Sequence, residues 1–226
     1  MEKRYLKNMN LMSESDIDVI KTKTIAVVGC GGLGGFNIEL LARLGIGNLI
    51  LIDGDKFDET NLNRQLISTN HNIGKSKSFE AKKRVELIND LVMVTAYEKE
   101  LTEDNANALL AKADLVIDAV DNIKTKLLIQ DCCEVLEIPF VHSAIGGWYL
   151  QVISIFPKDR TLDKIYKDTE TKGVEEELGN PSFTPSLAAS IQVSEALKIL
   201  LSKGEVLKNK QIYIDLKNNI FDLFDL

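Results

Sequence analysis

GCGGLGG, residues 29–35, sits between the apolar run TIAVV (24–28) and the segment GLGGFNIELLARLG (32–45), and this junction decides the fold. TIAVV is short, apolar and β-branched, which predicts a buried strand. In the second segment Leu33, Phe36, Leu40, Leu41 and Leu44 recur near a 3.6-residue period, which predicts a helix. Gly45 and Gly47 punctuate its end. Gly29, Gly31 and Gly34 form G-x-G-x-x-G after a strand and before a helix, with Gly32 among them. Residues without Cβ let backbone approach a phosphate, and a helix N-terminus offers free N–H groups and a positive dipole end. Asp53 ends a second apolar run, 19 residues beyond Gly34, where a carboxylate can take a ribose hydroxyl. The loop therefore predicts a nucleotide site. Alone it suits a nicotinamide dinucleotide, a flavin or ATP, and a ligand-free turn beside a solvated Asp is the plain alternative.

Working outward, strands are expected at NLILID (48–53), VMVTAYE (92–98), DLVIDAV (114–120) and PFVHSA (139–144). Helices are expected at SESDIDVIK (13–21), which has a capping-box entry at Ser13, and at 75–90, 102–112 from a Thr cap, and 122–137. Near-continuous apolar strands alternating with helices imply a Rossmann-like, doubly wound α/β fold with a mostly parallel sheet. After Gly146 the pattern changes. WYLQVISIF (148–156) is a long strand, 185–203 a helix, and the C-terminus two antiparallel strands around Asn218-Asn219 that extend the sheet. The organisation expected is an N-terminal helical arm (1–22), a nucleotide-binding unit (23–156), a mobile crossover loop (157–182), and a helix and strands (183–226) completing one domain.

Composition narrows the function classes. The chain has 226 residues, 45% hydrophobic and 27% charged, with a net charge of −7 and no long Lys/Arg run, so a general nucleic-acid surface is not expected. No apolar stretch is long enough to span a bilayer and no secretory signal is evident at the start. The cysteines are Cys30, Cys132 and Cys133, which offer neither a disulfide framework nor a C-x-x-C pair. A reduced, cytoplasmic protein is expected. Cys132 and Cys133 read as helix core, and Cys30 as a small filler in the glycine loop.

The stretch DGDKFDETNLNRQL (53–66) separates the nucleotides. It sets Asp55, Asn61, Asn63, Arg64 and Gln65 beyond the carboxyl end of the second strand, where ligands of open α/β sheets gather. A dehydrogenase has no evident need for an Arg and two amides there, whereas a triphosphate does. Lys77 opens the next helix; by itself it reads as one more solvated lysine beside Lys75, Lys82 and Lys83. DAVDN (118–122) ends the fourth strand. Asp121 can hold Mg²⁺ through oxygen, Asn122 can cap the following helix, and Asp118 reads simply as a strand residue.

Taken together, RYLKN (4–8), the glycine loop, LIDGD with NLNRQ, IGKSK (73–77), DAVDN and SFTPSLAASIQVSEALKIL resemble the ThiF/MoeB/HesA family, bacterial relatives of ubiquitin-activating enzymes, over almost the whole chain. The resemblance implies ATP- and Mg²⁺-dependent adenylation of the C-terminal glycine of a small ubiquitin-like sulfur carrier ending in Gly-Gly, with release of pyrophosphate. By position it implies that Gly29, Gly31, Gly32 and Gly34 approach the nucleotide and that Asp53 binds the ribose. It assigns phosphate contacts to Asn61, Arg64 and Lys77, with Asp55 and Asn122 beside them, and Mg²⁺ to Asp121. It also implies a homodimer in which a residue of the N-terminal motif reaches the partner's ATP, and the apolar faces of 33–44 and 187–201 suit such contacts. No membrane or nucleic-acid partner is implied.

Three departures from the family pattern stand out. The C-x-x-C pairs that hold a structural zinc in many members are missing, so no zinc is expected. No cysteine lies in 157–182, so a thioester or persulfide there is not expected. Lys7 stands where the N-terminal motif usually ends in Arg, and Lys126 replaces the Arg common after DN; Lys keeps the charge but loses the bidentate fork. The competing readings are activation of another carboxylate, on a peptide or a modified tRNA; a non-catalytic ATP-binding relative; and, from the glycine loop alone, an NAD-dependent oxidoreductase. Trp148 and Tyr149 with the final strands are either sheet core and edge or a docking surface for the carrier.

Overall fold

The structure is a computed structural model that describes residues 2–166 and 178–226. One eight-stranded sheet runs through it in the order β3-β2-β1-β4-β5-β6-β7-β8. The strands are β1 (Thr24–Val28), β2 (Asn48–Ile52), β3 (Met93–Tyr97), β4 (Leu115–Asp118), β5 (Phe140–Gly146), β6 (Tyr149–Ile155), β7 (Lys210–Asp215) and β8 (Ile220–Asp225). The first five are parallel and the last three antiparallel. This is the expected Rossmann-like, doubly wound architecture with its antiparallel extension.

Helices α1 (Glu14–Thr22), α2 (Gly32–Leu44), α3 (Lys77–Ile88) and α7 (Phe183–Leu201) share one core with one face of the sheet. Helices α4 (Ala106–Leu110), α5 (Ile123–Val135) and α6 (Thr161–Ile165) cover the other. The chain thus changes face between β1 and β4, the switch point at whose carboxyl side a ligand crevice opens. Ser13 caps α1 through a reciprocal box with Asp16, and Gly45 ends α2 in the left-handed region at φ 87°.

Three expectations change. The helix expected over 102–112 is only Ala106–Leu110, and Thr102 does not cap it: its carbonyl accepts the N–H groups of Asn105 and Ala106 in a turn. Segment 157–182 contains α6, whose Leu162 is buried and whose preceding Arg160 pairs with Asp131, Glu134 and Asp163; residues 167–177 lie outside the described residues. The apolar faces of 33–44 and 187–201 pack largely on each other, α2 against α7, with Asn37 donating to Gln192 at 2.8 Å. Periodicity marks an apolar face but not what covers it.

The arm before α1 is fixed by polar contacts. Tyr5, in the 3₁₀ turn Lys3–Asn8, is buried against the C-terminal end of α2, and Asn89 donates to its hydroxyl and to the Ala42 carbonyl, both at 2.8 Å. Asn89→Leu leaves both acceptors unpaired in the core. It is expected to destabilise the fold by about 2–3 kcal/mol in urea unfolding; a loss below about 0.5 kcal/mol would contradict this account of the arm. In the first turn of α1, hydrogen bonds from Lys203 and Ser13 bring Asp16 down from 3.8 to about 2. Because the folded value lies below the unfolded one, this contact stabilises fully above about pH 4 and is lost as pH falls through about 2. A carboxyl titration of the folded chain by NMR reads it directly.

Candidate active site

The site is built where β1, β2 and β4 end. Gly29, at φ 92°, donates to the Ile52 carbonyl of β2, and a Cβ on it would lie 2.5 Å from the Ala119 carbonyl oxygen. The loop, the end of β2 and the turn after β4 are therefore in mutual contact, and only glycine allows it. Gly31 is the N-cap of α2 and offers no side-chain cap, so the amides opening α2 remain available to an anion.

Asp53 follows β2 and accepts from the amide of Cys30 at 2.7 Å and of Asp55 at 2.8 Å. Burial raises its pKa while the Cys30 amide opposes the rise. Two amides leave part of a carboxylate's four or so acceptor directions free, in keeping with a ribose hydroxyl. Lys77, at the start of α3, is buried and pairs with Asp55 at 2.8 Å, so it is not the solvated lysine its neighbours suggested.

NLNRQ lies over the loop. The Arg64 side chain passes Gly32 so closely that a Cβ there would meet its Cγ, Cδ and Nε at 3.7–3.9 Å. Its guanidinium donates to the Thr60 carbonyl and the Asn63 amide oxygen. Gln65 packs over Gly31 in the same way, and its Oε1 is buried with no partner. An orphaned acceptor beside open helix amides is what a site shaped for a ligand leaves behind. Asn61 is buried and takes the Asp58 amide at 3.1 Å, leaving its Nδ2 with one contact at the 3.5 Å limit.

Asn122 caps α5 by accepting the Thr125 amide at 2.8 Å. Asp121, just before it, is exposed and has no side-chain hydrogen bond or ion pair among the described residues. Among those residues no group of three or more His, Cys, Asp or Glu could hold a metal by itself. Mg²⁺ needs no such cage: one carboxylate with phosphate oxygens and waters suffices.

Two cations named from the sequence, Lys7 for a partner's ATP and Lys126 after DN, do not line this crevice. Lys7 is exposed two residues from Tyr5, at the C-terminal end of α2, about 20 Å along that helix from the glycine loop. Lys126 points into the core, 3.4 Å from Asp118 and 3.1 Å from the Ser143 carbonyl. Its replacement of Arg therefore alters packing under the site, not a phosphate contact. Cys30 is fully buried and burial raises its thiol well above the ordinary value; burial also raises Cys132, to about 11. Sequence reasoning missed His142, which is buried against Asp118. The signal was the alignment of β4 with β5, which sets the residues after Ile117 and Val141 side by side.

The model of the ThiF family matches residues 4–226, nearly the whole chain. The chain belongs to the ThiF family. Among its ThiF relatives, the SAMP-activating enzyme E1 of Haloferax volcanii is 31% identical over 201 residues, covering 88% of this chain and 74% of that protein. The sulfur carrier protein adenylyltransferase of Thermus thermophilus is 31% identical over 212 residues, covering 87% and 76%. In structure, E. coli MccB solved with ATP superposes with a TM-score of 0.83 at 21% identity, over all of this chain and 71% of that one, which shows the shared fold. E. coli TcdA, a tRNA N6-threonylcarbamoyladenosine dehydratase, superposes at 0.75 with 26% identity, over 88% of this chain and 95% of that one.

Proposed function

We propose that this ThiF-family chain adenylates the C-terminal glycine carboxylate of a small ubiquitin-like sulfur carrier, using ATP and releasing pyrophosphate. The observation that carries the reading is Arg64 lying across Gly32, a cation over the amides that open α2. The relatives named above are a SAMP-activating enzyme and a sulfur carrier protein adenylyltransferase, which supports a carrier protein as the acceptor. The dinucleotide fingerprint, glycines with an acidic residue on the ribose, leaves that guanidinium unexplained.

In this reading a carboxylate oxygen attacks the α-phosphorus and pyrophosphate leaves, with no protein nucleophile. The chain holds two anions in line and stabilises charge on the leaving group. The loop amides take phosphate oxygens, Arg64 and Lys77 neutralise them, Asn61 donates from its Nδ2, and Asp53 fixes the ribose. Asp121 holds Mg²⁺, which would neutralise phosphate charge. Lys7 serves the ATP of a second copy, since it lies too far from its own.

The carrier surface lies beside this crevice. Trp148 is 46% exposed and packs on Phe183 with ring centroids 4.7 Å apart. Gly147 donates to Gly179, and Asn63 donates to Asn180, so this patch and NLNRQ flank the same returning chain. Trp148→Ala is expected to raise the KM for carrier about tenfold and to leave ATP affinity unchanged; equal losses in both would move the docking surface elsewhere.

The test of the reaction is exchange of labelled pyrophosphate into ATP. Exchange that requires a carrier ending in Gly-Gly supports it; no exchange with several such carriers overturns that acceptor. The likeness to TcdA over nearly its whole length favours one second reading, a carboxylate on modified tRNA. The net charge of −7 weighs against it, and tRNA retention on filters at physiological salt would reveal it.

A further inference from the structure

Four side chains that this chemistry does not use meet under the carboxyl end of β4, beside the first half of β5. Asp118 and His142 are both at zero exposure, and the His142 Nδ1 lies 2.6 Å from the Asp118 Oδ2. Lys126 approaches the same carboxylate from α5. Tyr166, just past α6, brings its hydroxyl 3.1 Å from the His142 Nε2, with the rings edge-on. Burial, and secondarily Lys126, keep His142 below its ordinary pKa against the pull of Asp118, so the ring is neutral. Its Nδ1–H then donates to Asp118 and its Nε2 accepts the Tyr166 O–H. Burial works to raise Asp118, but Lys126 and His142 hold it below its ordinary value.

This cluster bears on the crevice through Asp118. The Asp118 Oδ1 accepts the Val120 amide at 3.1 Å, its carbonyl accepts Gln192 at 2.9 Å, and the next amide, Ala119, donates to Val28 of β1. The turn so held is the one that touches Gly29 and carries Asp121. Lys126 alone would balance the charge, and a buried ionic cluster is a poor source of net stability. A polar ring at zero exposure therefore calls for another role.

We propose that His142, oriented by Tyr166, is a positioning residue: by holding the Asp118 carboxylate it fixes the turn bearing Asp121 and so sets how strongly Mg²⁺ strengthens ATP binding. This rests on the assignment of Mg²⁺ to Asp121 made above. The role is indirect, because His142 lies beneath the crevice and touches no substrate.

The test is calorimetric binding of ATP to the full chain, without carrier, in Mg²⁺ and in EDTA. For His142→Leu the gain conferred by Mg²⁺ is expected to fall about tenfold or more, with the affinity in EDTA unchanged. His142→Asn keeps an N–H donor and should recover part of the gain. Tyr166→Phe removes one hydroxyl and should lose severalfold. Should His142→Leu fail to fold, Tyr166→Phe decides, a reduced gain supporting the role and an unchanged one overturning it. Equal losses with and without Mg²⁺, or a lower unfolding midpoint with the gain intact, would make the cluster merely structural. If the unaltered protein itself shows no gain from Mg²⁺, the assignment of Asp121 falls and this role with it. A gain in the unaltered protein that persists in the variants sinks the positioning role alone.

Discussion

Asp121→Ala is expected to lower carrier-dependent pyrophosphate exchange by about 10²–10³-fold while leaving the fold as stable as before. The two halves of that result have separate causes. Asp121 is exposed and makes no side-chain hydrogen bond or ion pair among the described residues, so removing it leaves no unpaired group and costs less than about 0.5 kcal/mol. Its carboxylate stands one residue before the cap of α5, on the turn that abuts the glycine loop, where a cation would meet ATP phosphates. Losing charge stabilisation at a reacting phosphate typically costs several kcal/mol of barrier. Exchange retained within tenfold would remove Asp121 from the reaction. A large fall in unfolding midpoint would give it a structural role that its exposure does not suggest.

Gly34→Ala carries the other large effect, on structure first. A Cβ at Gly34 would lie 1.8 Å from the Gly29 carbonyl oxygen and 3.3 Å from the Ala119 Cβ. Neither the loop backbone nor the turn after β4 is the yielding end of a flexible side chain, so the loop and α2 must separate. Loss of ATP binding and about 3–5 kcal/mol of stability are expected, from calorimetry and urea unfolding. Gly35→Ala is the control. Its Cβ would meet the Ile67 side chain at 3.6 Å, an ordinary contact, and alanine favours a helix by about 1 kcal/mol. Equal behaviour of the two variants would show that close packing of the loop is not what shapes the site.

Local pattern carried most of the fold. TIAVV, NLILI and LVID declare themselves as buried parallel strands by unbroken apolar runs, and Ser13 and Asn122 announce the helices they cap. The 102–112 segment misled because Thr102 forms a turn through its main-chain carbonyl, which takes the Asn105 and Ala106 amides, where a cap would use its side-chain hydroxyl. The mutual packing of α2 and α7 could not be read because their residues lie about 150 positions apart and an apolar face does not name its cover. At the site, Asp53 and Arg64 were placed by their position beyond the end of β2, whereas Lys77 read by position as a solvated lysine, and only the fold shows it buried and paired with Asp55. Lys126 was not legible either: its inward turn depends on Asp118 and on a strand alignment that brings His142 beside it. Lys7 was read only as a charge in the N-terminal motif; the arm's anchorage at Asn89 shows which end of α2 it occupies.

The account stands most directly on one product. In a single turnover with ATP, Mg²⁺ and a carrier ending in Gly-Gly, intact-mass spectrometry of the carrier should show one added adenylate, at the C-terminal glycine, removable by hydroxylamine. The same mixture with Asp121→Ala should leave the carrier unchanged. A carrier that binds to the protein yet never gains the adenylate, in a mixture where ATP is also bound, would contradict it.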